Sequence, residues 1–312
     1  MSTCKAIDDI SFGGVLDNWL ISQRQRLKRT TLAAYETILE RHIKPGFKGF
    51  SPGAVTDEEV LQFLAEKCGE SSLLAPATLC GITSVLRSAL TYGGRFGCAA
   101  RPETCRCSVK PYRSEITVLS DAERLKIVSE IGEIPDGKDL GILLCLNTGL
   151  RVGEICGLKW GDIDLGAGTL SVRRTLSRIR NDVPGGSKTV LYFGTPKSRD
   201  SRRIIPLSPG MLVVLRRQKR EDEAFLLSNR ADKPIEPRNL QRYFKCVLAR
   251  AGVRDMNFHA LRHTFATKCV ELGFDIKSLS MILGHSDVSI TLNTYVHPSF
   301  ERLKSMMALL DN

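Results

Sequence analysis

The residues best suited to chemistry lie in three short stretches near the end of the chain. His259 and Arg262 stand in "HALRH", His285 in "LGHSDVS" and Tyr295 in "TLNTYVH". Residues three apart lie on one face of a helix, so His259 and Arg262 are predicted to act on the same side. A guanidinium, two imidazoles and a phenol could together bind an anion, carry a proton and supply a nucleophile.

Two further stretches complete a set of side chains able to cut a phosphodiester without a metal. Arg151 stands in "TGLRVGEICGL", and Lys197 stands in "TPKSRDSRRIIPL" at a turn between two predicted strands. We predict that Arg151 and Arg262 grip the nonbridging phosphate oxygens through paired donors. Tyr295 is then the nucleophile and keeps the bond energy as a phosphotyrosine ester. Lys197 protonates the leaving 5′ oxygen.

The proton of the phenol decides the predicted roles of the histidines. With a pKa near 10, only about one phenol in a thousand is ionised at pH 7, and forming the phenolate beforehand would cost about 4 kcal/mol. We therefore predict His259 as the base that takes the proton during attack and His285 as a donor to the developing phosphorane. Neither a Walker-type phosphate loop nor an acidic cluster suited to magnesium stands out in the sequence. We expect no cofactor and no metal.

Two members of this set also have a plainer interpretation. Arg151 alone could be an ordinary arginine at a helix start. Lys197 has three basic neighbours, Lys188, Arg199 and Arg202, and basic strands are often simply solvated. The pattern by itself does not single out Lys197.

Two other histidines and two other tyrosines are alternative candidates for the catalytic roles. We interpret His263 as a structural hydrogen-bonding residue and His297 as incidental. Tyr192 and Tyr243 could be nucleophiles by chemistry alone. Tyr192 alternates within a predicted strand, and Tyr243 lies beside Phe244 on a predicted helix. We predict that both tyrosines pack.

Length and composition set the broad class. The 312 residues suit two domains, and 42% apolar with 25% charged residues is an ordinary globular balance. A net charge of +11 favours a polyanionic partner such as nucleic acid. The first twenty residues lack a secretion signal, and the longest apolar run, residues 140–146, is too short to cross a bilayer. We predict a cytoplasmic protein that does not use a membrane.

The ten cysteines form no disulfide framework, so we predict reduced thiols. Cys98, Cys105 and Cys107 cluster in one loop-like segment. A zinc site there is the alternative, but the spacing is unlike a zinc knuckle and no histidine lies nearby.

Helical periodicity covers residues 11–100. Apolar residues recur at helical spacing in "VLDNWLISQRQRL" and "TTLAAYETILERHI". Thr56 precedes "DEEVLQFLAEKC" as a cap with acids in the first turn, and "APATLCGITSVLRSALTYGG" ends at a glycine pair. We predict a helical DNA-binding domain over residues 1–108, for which a generic helical bundle is the alternative, and a linker over residues 109–119.

A second domain is predicted over residues 120–312. Ser120 and Glu123 have capping-box spacing, and a buried helix, a glycine turn and a second helix follow up to residue 160. Alternation predicts one three-stranded antiparallel sheet over residues 168–208, and helices return from Pro209. The predicted fold class is mainly α with a small antiparallel sheet: a helical core-binding domain plus a mixed α/β catalytic domain.

The order of these residues and the sequences around them resemble those of the tyrosine recombinases, or phage integrases, over nearly the whole chain. Members of that family use Arg, Lys, His-x-x-Arg, His or Trp, and Tyr, and Glu154 matches an acidic residue that often supports the site. The resemblance implies a site-specific recombinase that acts on double-stranded DNA through a 3′-phosphotyrosine. The family's catalytic positions are matched by Arg151, Lys197, His259, Arg262, His285 and Tyr295.

The same resemblance implies partners and roles. It implies protomers that are monomeric when free and form a homotetramer on two synapsed sites, cut pairwise through a Holliday junction. The resemblance leaves open whether accessory DNA-bending or directionality proteins take part. We favour the integrase or transposase of a mobile element over an Xer-type chromosome-dimer resolvase, because the strand region is longer than the hairpin of Xer enzymes. A catalytically silent DNA-binding regulator and a topoisomerase-like enzyme are the rivals.

The C-terminal segment "HPSFERLKSMMALLDN" restarts a helical pattern after Pro298. Five apolar residues recur at spacings of three and four: Phe300, Leu303, Met306, Met307 and Leu310. A helix this short needs a groove for its apolar stripe. We expect the tail to dock on a neighbouring protomer, with docking on its own protomer as the alternative.

Overall fold

The computed structural model describes residues 10–69, 74–105, 116–135, 137–181, 185–195 and 202–296, together with residues 304, 307 and 308. The chain divides into two compact units, residues 1–114 and 115–312. Lys197, Cys107, His297 and nearly all of the predicted tail helix therefore lie outside the described residues. So do residues 106–115, which include most of the predicted linker.

The first unit is helical within its described residues. Its helices are α1 (Phe12–Gln23), α2 (Arg29–Ile38), α3 (Lys44–Gly46), α4 (Asp57–Cys68) and α5 (Pro76–Gly93), and a π-helical turn at Leu39–Ile43 joins α2 to α3.

Local sequence signals account for the helices of the first unit. The Thr56 hydroxyl accepts a hydrogen bond from the backbone N–H of Glu59 at 3.3 Å, as the sequence predicts. Trp19 of α1 is fully buried and stacks on Tyr35 of α2.

Cys105 is buried as a free thiol in the same core. No three His, Cys, Asp or Glu side chains of the described residues gather as a metal site requires.

The second unit contains eight described α-helices, which bury a main core and a smaller one. They are α6 (Asp121–Ile131), α7 (Gly137–Thr148), α8 (Val152–Gly157), α9 (Pro209–Gln218), α10 (Pro237–Arg250), α11 (His259–Glu271), α12 (Ile276–Leu283) and α13 (Val288–Tyr295).

The core of the second unit is built around α7. Leu140, Ile142 and Leu144 of α7 are fully buried, and α7 packs against α8, α10 and α11. Ser120 and Glu123 form the predicted capping box at the start of α6. Leu119 already belongs to this core, and its N–H donates to the Thr264 hydroxyl at 2.9 Å. The exact domain bounds stay a prediction.

The strands differ from the predicted layout, although the fold class is confirmed. Instead of one three-stranded sheet over residues 168–208, five strands form two antiparallel sheets. One sheet has the order β1–β2–β5 and the other pairs β3 with β4. The bounds are β1 (Ile163–Asp164), β2 (Thr169–Val172), β3 (Thr175–Arg180), β4 (Thr189–Gly194) and β5 (Arg203–Pro206).

A charged contact explains why the predicted strand "GTLSVRRTLSRI" is interrupted. Between β2 and β3, Arg174 donates to the buried carboxylate of Asp162 at 2.7 Å and to the Gly157 carbonyl at 3.2 Å. This places the chain against α8 rather than along β2. Alternation of apolar and polar residues carries no information about such a distant partner.

Two further observations complete the fold. The sequence of α11 predicts that Leu261, Phe265 and Leu272 share a buried face, but Leu272 follows the end of the helix and is 67% exposed. No helix within the described residues has the length and apolar content needed to cross a bilayer.

Candidate active site

A left-handed glycine turn positions Arg151 and Glu154. Gly149 follows α7 with φ +63°, and a Cβ there would lie 2.5 Å from the Phe265 ring and 2.8 Å from the Leu283 side chain. Only glycine fits this conformation and this space. The chain then enters α8 with Arg151 as its N-cap residue and Glu154 in its first turn.

Glu154 is the buried anion of the site. It is 3% exposed and accepts hydrogen bonds from the backbone N–H and Nη1 of Arg151, both at 3.0 Å. Arg203, at the start of β5, donates to both carboxylate oxygens at 3.3 and 3.1 Å. Burial alone would raise the pKa of Glu154, but Arg203 and Arg151 outweigh it and hold the pKa below its ordinary value. Glu154 is therefore an anion that fixes two cations.

Three arginines meet at the carboxyl end of α12, residues 282–284. Arg203 Nε donates to the first carbonyl of this end. Arg262 Nη2 and Arg151 Nη1 share the Leu283 oxygen at 2.9 and 3.4 Å, and Arg151 Nη2 reaches the next carbonyl at 3.4 Å. The last carbonyls of a helix carry partial negative charge and lack partners within the helix. The end of α12 thus holds together guanidiniums that would otherwise repel one another.

Arg262 is the most enclosed cation of the site. It is 1% exposed, and its Nη1 donates to the Gly149 carbonyl at 2.7 Å. Burial and the charge of Arg151 lower the pKa of Arg262 to about 10. The group remains a cation at neutral pH, so the site contains a buried positive charge that can bind an anion.

Arg262 also determines the tautomer of His285. Its Nη2 lies 2.8 Å from His285 Nε2, and His285 Nδ1 lies 2.8 Å from the hydroxyl of the buried Thr291. Because a guanidinium has only donors, Nε2 accepts and the ring proton sits on Nδ1. Burial and the charges of Arg262 and Arg151 lower the pKa of His285 to about 4. Donation to a phosphorane, the predicted role, requires the proton to move to Nε2.

Tyr295 ends α13 and is buried at 7% exposure. Its hydroxyl lies 2.8 Å from Nδ1 of His263. Burial raises the pKa of Tyr295, and the neighbouring charges of Arg262 and Arg151 only partly oppose this. The phenol is therefore neutral at rest and needs a proton acceptor to become a nucleophile.

His259 is the first residue of α11 and stays exposed. Its ring meets that of His263 edge to face, with centroids 4.6 Å apart. Partial removal from water and the charges of His263, Arg262 and Arg151 lower the pKa of His259 to about 4. The His259 side chain makes no hydrogen bond to another described residue, and the contact with Tyr295 belongs to His263 one turn later.

The competing tyrosines lie on other elements. Tyr243 of α10 donates to Asp139 at 2.9 Å and packs against the main core, while Tyr192 of β4 faces Ser177 across the ribbon. The described structure thus brings Arg151, Glu154, Arg262, His285 and Tyr295 together. Lys197 lies outside the described residues, between the ends of β4 and β5.

Sequence reasoning missed Arg203, Thr291 and the partner of His263. Alternation could have found Arg203, because it shares a face of β5 with the buried Ile205 while Ile204 points outward. His263 forms a hydrogen bond as expected, but its partner is the candidate nucleophile. That contact depends on the placement of α13, which no local pattern reveals.

Comparisons with known proteins show the family of the chain. The model of the phage integrase family matches residues 121–302, and the phage integrase N-terminal SAM-like domain matches residues 11–51. A XerC-like tyrosine recombinase of Caldanaerobacter subterraneus subsp. tengcongensis is 30% identical over 93% of this chain and 80% of its own. Tyrosine recombinase XerA of Pyrococcus furiosus is 27% identical, covering 91% of this chain and 90% of its own.

Solved structures share the fold. The Tn1549 transposon integrase, solved with circular intermediate DNA, is 21% identical and gives a TM-score of 0.76, covering 96% of this chain and 100% of that one. A lambda integrase tetramer bound to a Holliday junction is also 21% identical, with a TM-score of 0.64 over 94% and 81% of the two chains.

The chain belongs to the phage integrase family. The prediction of an enzyme of the tyrosine type, a site-specific recombinase, is confirmed at this level.

Proposed function

We propose that this recombinase cuts and rejoins duplex DNA through a 3′-phosphotyrosine on Tyr295. The supporting observation is that the Tyr295 hydroxyl lies beside the cluster in which Arg151 and Arg262 share one carbonyl oxygen. A phosphodiester placed there meets two guanidiniums through its nonbridging oxygens and the phenol at phosphorus. No metal is needed, because fixed cations neutralise the developing charge.

The residues then take the following roles. Arg151 and Arg262 stabilise the phosphorane, and Glu154 holds Arg151 in place through its two hydrogen bonds. His285 supplies a further donor once its proton has moved to Nε2. Lys197 is proposed on its sequence motif to protonate the leaving 5′ oxygen. The resulting 5′ hydroxyl, or that of a second DNA strand, attacks the phosphotyrosine and restores the phenol.

The proposed partner is double-stranded DNA carrying a specific site, bound by protomers that assemble as a tetramer on two such sites. The net charge of +11 supports phosphate contacts along the duplex. Two of the solved structures that share the fold are complexes with circular intermediate DNA and with a Holliday junction. By that likeness we propose strand exchange in two steps through a junction.

We further propose a role as the integrase of a mobile element. The long segment between β3 and β5 and the fold likeness to the Tn1549 integrase support it. The Xer-type role is the second candidate, because the relatives in sequence include XerC-like and XerA recombinases.

Covalent trapping tests the proposal. Wild-type protein is incubated with a pool of random-sequence duplexes containing nicks near their centres, in EDTA, and the DNA that remains bound in denaturing detergent is sequenced. We expect an adduct that maps to Tyr295 by mass spectrometry and a recovered consensus site. No adduct, or a strict need for magnesium, would overturn the proposed chemistry.

The recovered site also separates the biological roles. A match at the ends of the DNA element that carries this gene supports the integrase role. A match at one chromosomal site unrelated to the position of the gene supports the Xer-type role. Relaxation of supercoiled plasmid that lacks the site would instead identify a topoisomerase-like enzyme.

A further inference from the structure

We propose that His263 is a further catalytic residue, the group that receives the Tyr295 proton during attack. This inference rests on the proposed function, because it concerns the same phenol. It moves the role of base from His259, which the sequence motif indicates, to the histidine one turn later on α11.

The first argument is contact. His263 Nδ1 lies 2.8 Å from the Tyr295 hydroxyl, and the two ring centroids are 5.6 Å apart with the planes tilted by 51°. A base must be within hydrogen-bond reach of the proton that it removes. Among the described residues His259 has an edge-to-face contact with His263 and no hydrogen bond to Tyr295.

The second argument is rigidity. His263 is half-buried, and its neighbours along α11, Arg262 and Thr264, are buried and hydrogen-bonded. Tyr295 is fixed from the other side by the small core that includes Leu279 and Leu283. His259 instead stands exposed at the first position of the helix. A proton transfer gains most from partners that are already held in place.

The third argument is charge. The Tyr295 hydroxyl lies beside Arg262, whose charge favours a developing phenolate. Burial and Arg262 also lower the pKa of His263, so its imidazole is neutral at neutral pH, and in the tautomer with the ring proton on Nε2 the Nδ1 atom has a lone pair to offer. The hydroxyl then donates to Nδ1, which is the direction required for transfer.

The step balances as follows. The Tyr295 oxygen forms its bond to phosphorus while its proton passes to His263 Nδ1. The bond from phosphorus to the 5′ oxygen breaks, and that oxygen takes a proton from the acid proposed above, Lys197. In rejoining, a 5′ hydroxyl gives its proton back to the neutral Lys197 amine as its oxygen displaces the tyrosine from phosphorus, and the His263 imidazolium returns its proton to the phenol oxygen.

The test compares His263→Asn, His263→Ala and His259→Asn in single-turnover cleavage of the duplex recovered by trapping. The scissile 5′ oxygen is replaced by sulfur, because a thiolate leaves without an acid and the rate then reports on the base. An Asn side chain at 263 keeps an acceptor near the position of Nδ1 but cannot hold a proton at neutral pH. It therefore separates positioning of the phenol from removal of its proton.

We expect both His263 variants to form the Tyr295 adduct about 100-fold more slowly than wild type near pH 7. The rate of His263→Ala should rise with added imidazole and should keep rising with pH toward the pKa of tyrosine. His259→Asn should keep the acidic limb of the wild-type pH profile even where its rate falls.

Two results would overturn the assignment. One is a His263→Asn enzyme with wild-type rate and pH profile, because positioning alone would then suffice. The other is loss of the acidic limb in His259→Asn and not in His263→Asn. Thermal melting of each variant checks the fold, and His263→Asn carries the test if His263→Ala melts early. Absence of an adduct with wild-type protein is a different failure, since it removes the proposed function itself.

Discussion

The arginine side and the tyrosine side of the site are built differently. On the arginine side, Arg151, Arg203 and Arg262 share the carbonyls of α12 and, for two of them, the Glu154 carboxylate. On the tyrosine side, Tyr295 stands at the end of an eight-residue helix. Its hydroxyl has one described histidine contact and the neighbouring charge of Arg262.

This difference separates a proposed phosphate-binding cluster tied into the main core from a proposed nucleophile held by a small core of its own. The grip is tied into the main core through α7, α8 and β5, so moving it would break several buried charged contacts. The tyrosine belongs to a separate small core formed by α11, α12 and α13. Losses on the arginine side should therefore affect folding and chemistry together, whereas losses on the tyrosine side should affect chemistry alone.

Tyr295→Phe should have the largest effect on chemistry, and it changes only the tyrosine side of the site. It removes only a hydroxyl, so the fold and DNA binding should persist, while adduct formation falls on the order of a millionfold, as for loss of a nucleophile elsewhere. Denaturing gels measure the adduct, with Tyr243→Phe as the matched control that keeps it. An adduct in Tyr295→Phe would move the nucleophile to Tyr192 or Tyr243.

Arg262→Lys tests whether the grip acts mainly in the transition state. Lysine keeps the charge but cannot serve the Gly149 and Leu283 carbonyls, His285 and a phosphate together. We expect cleavage to fall by roughly 100- to 1000-fold, with DNA affinity changed by less than about tenfold because remote phosphate contacts carry it. Equal losses in gel-shift affinity and in cleavage rate would contradict this division.

Glu154→Gln tests the coupling of folding to chemistry on the arginine side. Removal of the buried anion leaves Arg203 and Arg151 uncompensated, which costs about 3 kcal/mol and should lower the melting temperature of the second unit by about 10 °C. Glu223→Gln is the control, since that carboxylate pairs with Lys159 at the surface and its loss should leave the melting curve unchanged. Equal shifts for the two variants would show that Glu154 does not anchor the cluster.

The lowered histidine pKa values give a pH window. His259 and His285 have pKa values of about 4 when folded, against about 6.5 when unfolded. Between pH 6.5 and 4 the unfolded chain binds more protons, so stability falls as pH drops through this window and is unaffected above it. Ring-proton NMR titration, assigned with His259→Gln and His285→Gln, checks this. Titration of either ring near pH 6.5 would count against the described environment.

Thr291→Val should have the smallest effect. It removes the hydroxyl that accepts a hydrogen bond from His285 Nδ1 while nearly preserving volume, so the other tautomer of His285 becomes easier to reach. We expect a change of a few-fold in cleavage rate and a shift of the His285 ring nitrogen resonances, with Tyr295 adduct formation retained. An unchanged nitrogen spectrum would mean that Arg262 alone fixes the tautomer.

A structural feature can be predicted from the sequence when the residues that cause it lie close together in the chain. The caps at Thr56 and Ser120 and the glycine turn at Gly149 follow from neighbouring residues, and the structure has all three. The division of the strands depends on the contact of Arg174 with Asp162, and the role of Arg203 depends on a helix end far along the chain. Long-range ion pairs leave no periodic pattern, so reasoning from the sequence could not place them.

The helix α13 carries Thr291 and Tyr295 one turn apart on its buried face. The Thr291 hydroxyl accepts a hydrogen bond from His285 Nδ1, and Tyr295 is the proposed nucleophile. Any displacement of α13 as a rigid body withdraws the phenol and releases His285 Nδ1 in the same motion. A protomer with its tyrosine disengaged therefore also has its His285 ring held by Arg262 alone.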